Sequence, residues 1–92
     1  MTEDIATRRK RLSMRSWRRG MREMDMILGP FSDQRLGEMD SSELDEYESL
    51  LSDNDQEIFS WITQKTKAPD HRQTQIQKIV DFLSEGGGSV FN

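Results

Sequence analysis

Apolar residues along this chain recur at helical spacing, and strand-like alternation of apolar and polar positions is missing. Ile76, Ile79, Val80 and Leu83 form an i, i+3, i+4, i+7 stripe, which predicts a helix near the C-terminal end. Leu44, Tyr47, Leu50 and Leu51 predict another, opened by Asp40-Ser41-Ser42-Glu43 in the form of a capping box. Ile58, Phe59 and Ile62 mark a short helix between them, with Asp55 as its expected cap and Trp61 off the centre of its stripe. Asp70, after the helix-ending Lys67-Ala68-Pro69, is the expected cap of the last helix. Met24, Ile27, Leu28, Phe31 and Leu36 keep the period across Gly29-Pro30, so one helix from about Met21 to Arg35, kinked near Pro30, is expected. A break there into two short helices is the alternative.

The first helix has the thinnest stripe. Thr2 is its expected cap, Glu3 and Asp4 suit its first turn, and only Ile5, Leu12 and Met14 lie on its apolar side. Trp17 is expected to anchor its end to the core. The pattern as a whole predicts an all-α, single-domain five-helix bundle over residues 1–85, with a flexible tail from Gly86 to Asn92.

Length and charge refine that picture. A 92-residue chain buries only about 60–65% of its unfolded surface, so its core is small. Cysteine is absent and His71 is the one histidine, which excludes a disulfide framework and a Cys or His metal site. No window approaches a membrane span of about 18 apolar residues, so no membrane insertion is expected. Met1 lies close before the basic segment with no room for a transit peptide, which favours a bacterial cytoplasm over a mitochondrial precursor.

The net charge of −4 hides a division. Met1 to Arg22 hold eight Lys/Arg against Glu3 and Asp4, giving +6, whereas Glu23 to Asn92 hold five against fifteen acids, giving −10. Such asymmetry points to an anionic partner or to pairing of the basic arm with the acidic body.

Motifs that carry catalysis are missing. No P-loop, G-x-G-x-x-G after a strand, H-E-x-x-H or EF-hand loop occurs, and Asp53-Asn54-Asp55 lacks the glycine and distal glutamate of a calcium loop. No general acid/base pair can be argued, so an enzyme is not expected.

The stretch with the strongest functional signal is Arg18-Arg19-Gly20-Met21-Arg22-Glu23-Met24-Asp25. Gly20 is expected to end the first helix with positive φ and to admit another backbone. Glu23 falls in the first turn of the next helix, where the helix dipole favours negative charge, and Arg19 and Glu23 would share one exposed edge. As a plain reading, the glycine is a helix cap and the charges a solvated pair worth about 0.2–0.5 kcal/mol.

Within this stretch, Arg19-Gly20-Met21-Arg22-Glu23-Met24-Asp25, followed by Ile27-Leu28-Gly29-Pro30-Phe31 and then by Asp53-Asn54-Asp55-Gln56-Glu57-Ile58-Phe59-Ser60-Trp61-Ile62, resembles the succinate dehydrogenase assembly factor family, the SdhE-like FAD assembly factors. The likeness covers roughly residues 8–70. Its most specific part is R-G-x-x-E, here Arg19, Gly20 and Glu23, before the Met24-Asp25 pair; Gln56 stands where many members have proline.

The resemblance implies a five-helix chaperone that promotes covalent attachment of FAD to the flavoprotein subunit of succinate dehydrogenase, and of fumarate reductase where present. It implies no tightly bound cofactor, FAD being carried by the partner. Arg19, Gly20 and Glu23 are the implied binding surface, with Arg18, Met21 and Asp25 beside them. The rival classes are a nucleic-acid-binding module, built on Arg8-Arg9-Lys10-Arg11 with Arg15, Arg18, Arg19 and Arg22, and a generic protein-interaction adaptor. The −10 body would repel phosphates, so no nucleic acid is expected.

Overall fold

The computed structural model describes residues 3–86. Five α-helices follow in order: α1 (Ile5–Trp17), α2 (Arg22–Arg35), α3 (Ser41–Leu50), α4 (Asp55–Ile62) and α5 (Asp70–Ser84). A 3-10 turn, Leu36–Glu38, links α2 to α3, and no strand occurs among the described residues.

Helix α2 is the central element, in contact with α1, α4 and α5. It runs unbroken through Pro30, so the period across Gly29-Pro30 reflects one helix and not two. Its Met24, Ile27, Leu28 and Phe31 are buried. Phe31 sits between Tyr47 of α3 and Phe82 of α5, with ring centroids 5.7 and 5.5 Å away, the second edge-on as aromatic quadrupoles prefer. Tyr47 has no exposure, and its hydroxyl lies 2.6 Å from Ser16 Oγ, which supplies the partner that a buried phenol needs. Burial pushes the Tyr47 pKa above its usual range.

The helix ends show where local sequence chemistry decides. Asp40 accepts from the Glu43 N–H at 2.9 Å and Glu43 accepts from the Asp40 N–H at 3.1 Å, completing the capping box. Asn54, not Asp55, caps α4, its Oδ1 accepting from the N–H groups of Gln56 and Glu57. Pro69 occupies the cap position of α5 and Asp70 is its first residue. Asp4 caps α1 through the Thr7 N–H at 2.7 Å; the expected cap, Thr2, lies outside the described residues. Gly86, at φ 82°, occupies the left-handed position that ends α5. The rest of the expected tail, residues 87–92, lies outside the described residues.

Helix α1 departs most from expectation. Leu12 and Ser16 are buried, whereas Ile5, Met14 and Trp17 are exposed. Trp17 does not enter the core: its ring roofs Gly29 of α2, and its indole N–H donates to Asp33 Oδ2 at 3.1 Å. Besides Leu12 and the packing against α2, charge ties α1 to the body. Arg8 pairs with Asp45 and Glu48, Arg11 with Glu3 and Glu48, and Arg9 donates to the carbonyls of Leu36 and Met39 at 2.8 Å each. The Arg11 and then Arg8 guanidiniums hold the Glu48 carboxyl below the usual carboxylate range.

Candidate functional site

The connection from α1 to α2 carries Arg18, Arg19, Gly20 and Met21, and the chain builds it from both sides. Helix α1 ends at Trp17, and its last turn closes with the Arg18 N–H donating to the Arg15 carbonyl at 3.3 Å. Helix α2 begins at Arg22 without a side-chain cap at Met21; Glu23 and Asp25 lie in its first turn, where the dipole favours carboxylates. Asp25 accepts from the Arg19 backbone N–H and so ties the connection back onto the helix that follows it.

The Arg19 side chain turns inward. Its Nε donates to Asp55 Oδ1 at 2.6 Å, and its guanidinium also reaches the carbonyls of Leu51 at 2.7 Å and Asp53 at 3.2 Å. At 9% side-chain exposure it is a largely enclosed staple across the α3–α4 turn, so the expected exposed edge shared by Arg19 and Glu23 does not form. Five donors in a fixed fork suit this task, since one side chain can satisfy a carboxylate and two carbonyls together. Arg72 of α5 holds the same turn from another side, through Asp53 at 2.6 Å and the Ser49 carbonyl at 3.1 Å. Asp53, Asn54 and Asp55, which superficially suggest a calcium loop, thus serve two arginines and a helix cap.

Gly20 also departs from expectation. It does not end α1, and its φ is not positive. It is exposed, its N–H donates to Asp55 Oδ2 at 3.1 Å, and a Cβ built on it would meet nothing nearer than that same oxygen at 3.8 Å. No feature of its own fold requires a glycine there. Around it Arg18, Arg22 and Glu23 are exposed and make no ion pair with a described residue, while Met21 packs partly against the core.

The resulting surface is a bare strip of backbone flanked by two cations and one carboxylate, held rigid by Arg19, Asp25 and Asp55 beneath it. A hollow of about 390 Å³, lined by Arg11, Met14, Arg15, Arg18 and Arg19, opens beside it. Sequence reading missed Asp55 as part of this surface, because the contact spans 36 residues; the one signal was that Asp53 and Asp55 flank a turn in a chain whose cations lie mostly before residue 23.

Among the described residues no group of three or more acidic or histidine side chains could hold a metal ion, and no helix is long and apolar enough to cross a membrane.

Residues 10–85 match the family described as flavinator of succinate dehydrogenase. Curated proteins named succinate dehydrogenase assembly factor 2, mitochondrial, are similar to the chain. That of Dictyostelium discoideum is 36% identical over 77 residues, 84% of this chain and 55% of that protein. That of Candida glabrata is 39% identical over 87 residues, 89% of this chain and 57% of that protein. That of Penicillium rubens is 45% identical over 62 residues, 67% of this chain and 20% of that protein. The chain therefore spans from a fifth to just over half the length of these relatives. Their names place them in mitochondria, so the bacterial cytoplasm expected from the sequence finds no support among them. The family match runs from the middle of α1 to the end of α5 and takes in both segments that meet at Arg19, Gly20 and Asp55; this chain belongs to the flavinator of succinate dehydrogenase family.

Proposed function

We propose that this protein docks on the flavoprotein subunit of succinate dehydrogenase and promotes the covalent attachment of FAD to it. One observation carries the docking surface: Gly20 is exposed, has an ordinary φ and has room for a side chain, so its own fold gives no reason for a glycine. A partner whose backbone lies against that strip would supply the reason. Glu23, Arg18 and Arg22 contact the partner, and Arg19, Asp25 and Asp55 hold Gly20 in position, so Arg19 acts through the loop and not by direct contact. Met21 backs the strip from the core side.

In this reading the protein contributes shape and charge, and the bond to flavin forms within the flavoprotein. FAD belongs to the partner and is not held tightly here, and the related flavoprotein of fumarate reductase is a second client. The nucleic-acid reading has less support, because Arg8, Arg9, Arg11 and Arg19 are engaged by carboxylates and carbonyls of this chain.

The test is reconstitution: purified flavoprotein subunit lacking covalent flavin is incubated with FAD, with and without this protein, and covalent flavin is read by in-gel fluorescence. The protein should raise the flavinylated fraction, and Glu23→Ala should lower that gain while its melting curve stays that of the parent. An unchanged fraction in the presence of the parent protein overturns the proposal.

A further inference from the structure

The α4–α5 connection builds a second surface that nothing above uses. A cavity of about 410 Å³ opens there, with Trp61, Ile76 and Val80 as its apolar wall and Lys65, Lys67 and Gln73 as its polar side. A second, more open hollow of about 670 Å³ shares Trp61, Thr66 and Lys67 with it, so the two form one trough across those residues.

The trough is pre-formed. The Lys65 N–H donates to the Ser60 carbonyl at 2.9 Å and the Gln64 N–H to the Trp61 carbonyl at 3.2 Å, the paired bonds of a Schellman ending to α4. Gln64 occupies the left-handed position at φ 63°, where glycine is usual. The Thr66 hydroxyl donates to Ser60 Oγ at 3.0 Å, and the Gln73 amide to the Ala68 carbonyl at 3.0 Å, which fixes the loop to both helices.

The charge is anomalous for its surroundings. From Glu23 onward the chain has five cations against fifteen acids. Arg35, Arg72 and Lys78 form ion pairs with Glu85, Asp53 and Glu43. Lys65 and Lys67 are exposed and form none with a described carboxylate, although acids outnumber them throughout this region. Two unpaired ammonium groups beside a tryptophan wall are complementary to carboxylates next to an aromatic or aliphatic side chain. The trough is open along its length, which suits an extended chain; small ligands are held where most of their surface is enclosed. Glu57 lines only the second hollow, so the acids of the occupant belong in the first.

Continuity names the owner of that segment. Asn54, Gln56 and Glu57 line the second hollow, and Asp55 between them holds the Gly20 N–H. We infer that the trough around Trp61, Lys65 and Lys67 is a second docking site, which takes an acidic, extended segment of the same flavoprotein that covers Gly20. The identity of that owner rests on the proposed function.

The test titrates the client flavoprotein subunit against the full chain by calorimetry at low and moderate salt. The double variant Lys65→Gln, Lys67→Gln should bind about tenfold more weakly, with a smaller salt dependence and an unchanged melting curve. Lys10→Glu, which makes the same net charge change at an exposed position of α1, should bind within about twofold of the parent. Equal weakening by both variants overturns the inference, since a general field and not a site is then acting. Parent-like binding by the double variant, while Gly20→Arg abolishes binding, overturns the trough and leaves the proposed function standing; no binding by the parent protein overturns both. Free FAD that binds the parent alone but not the double variant would assign the trough to a nucleotide and overturn the peptide occupant.

Discussion

Gly20 and Gly29 lie on either side of the first turns of α2 and have opposite reasons to be glycine. At Gly29 a Cβ would lie 2.3–2.5 Å from three ring atoms of Trp17, closer than any packed Cβ tolerates, so the α1–α2 contact itself demands the bare backbone. At Gly20 the nearest atom would be 3.8 Å away and φ is ordinary, so nothing inside the protein demands it. The docking role proposed for Gly20 rests on that difference: it is a glycine the fold leaves unexplained, on a loop that the fold holds firmly.

That contrast can be broken at several points. The largest effect should come from Arg19→Ala, about 2–3 kcal/mol by chemical denaturation, because it removes a staple 9% exposed and strands Asp55 and two carbonyls. An unchanged midpoint would mean that the loop carrying Gly20 is not held as described. Gly29→Ala should cost about 1–2 kcal/mol, overlap with the Trp17 ring outweighing the gain in helix propensity, and should shift tryptophan emission to the red as the ring moves toward water. Stability equal to the parent's would remove the distinction between the two glycines. Gln64→Gly should gain about 0.5–1 kcal/mol, since only the left-handed φ opposes the glutamine there. Gly20→Ala should fall within about 0.5 kcal/mol of the parent, and a loss beyond 1 kcal/mol would return Gly20 to a structural role.

What the sequence discloses divides by distance along the chain. The Asp40–Glu43 capping box is read correctly because its two hydrogen bonds close within three residues. The α2 stripe through Pro30 is read correctly because buried Ile27, Leu28 and Phe31 outweigh the proline penalty. The caps of α4 and α5 are each misread by one residue, as adjacent Asn54 and Asp55 have similar capping chemistry and Asp55 is diverted to Arg19 and Gly20. Trp17 is misread as a core anchor because its partner is a glycine, which carries no apolar signal. The basic arm looks available until Glu48, which lies 40 residues from Arg8 and 37 from Arg11, comes into contact. For the same reason Arg19 reads as exposed, and the room around Gly20, on which its proposed role rests, is not legible in the sequence.

The most direct test of the account is Gly20→Arg, scored by the covalently flavinylated fraction of the succinate dehydrogenase flavoprotein beside a melting curve for the variant. The space around Gly20 predicts a protein that melts as the parent does but no longer promotes flavinylation. Full flavinylation by a folded Gly20→Arg protein would contradict it.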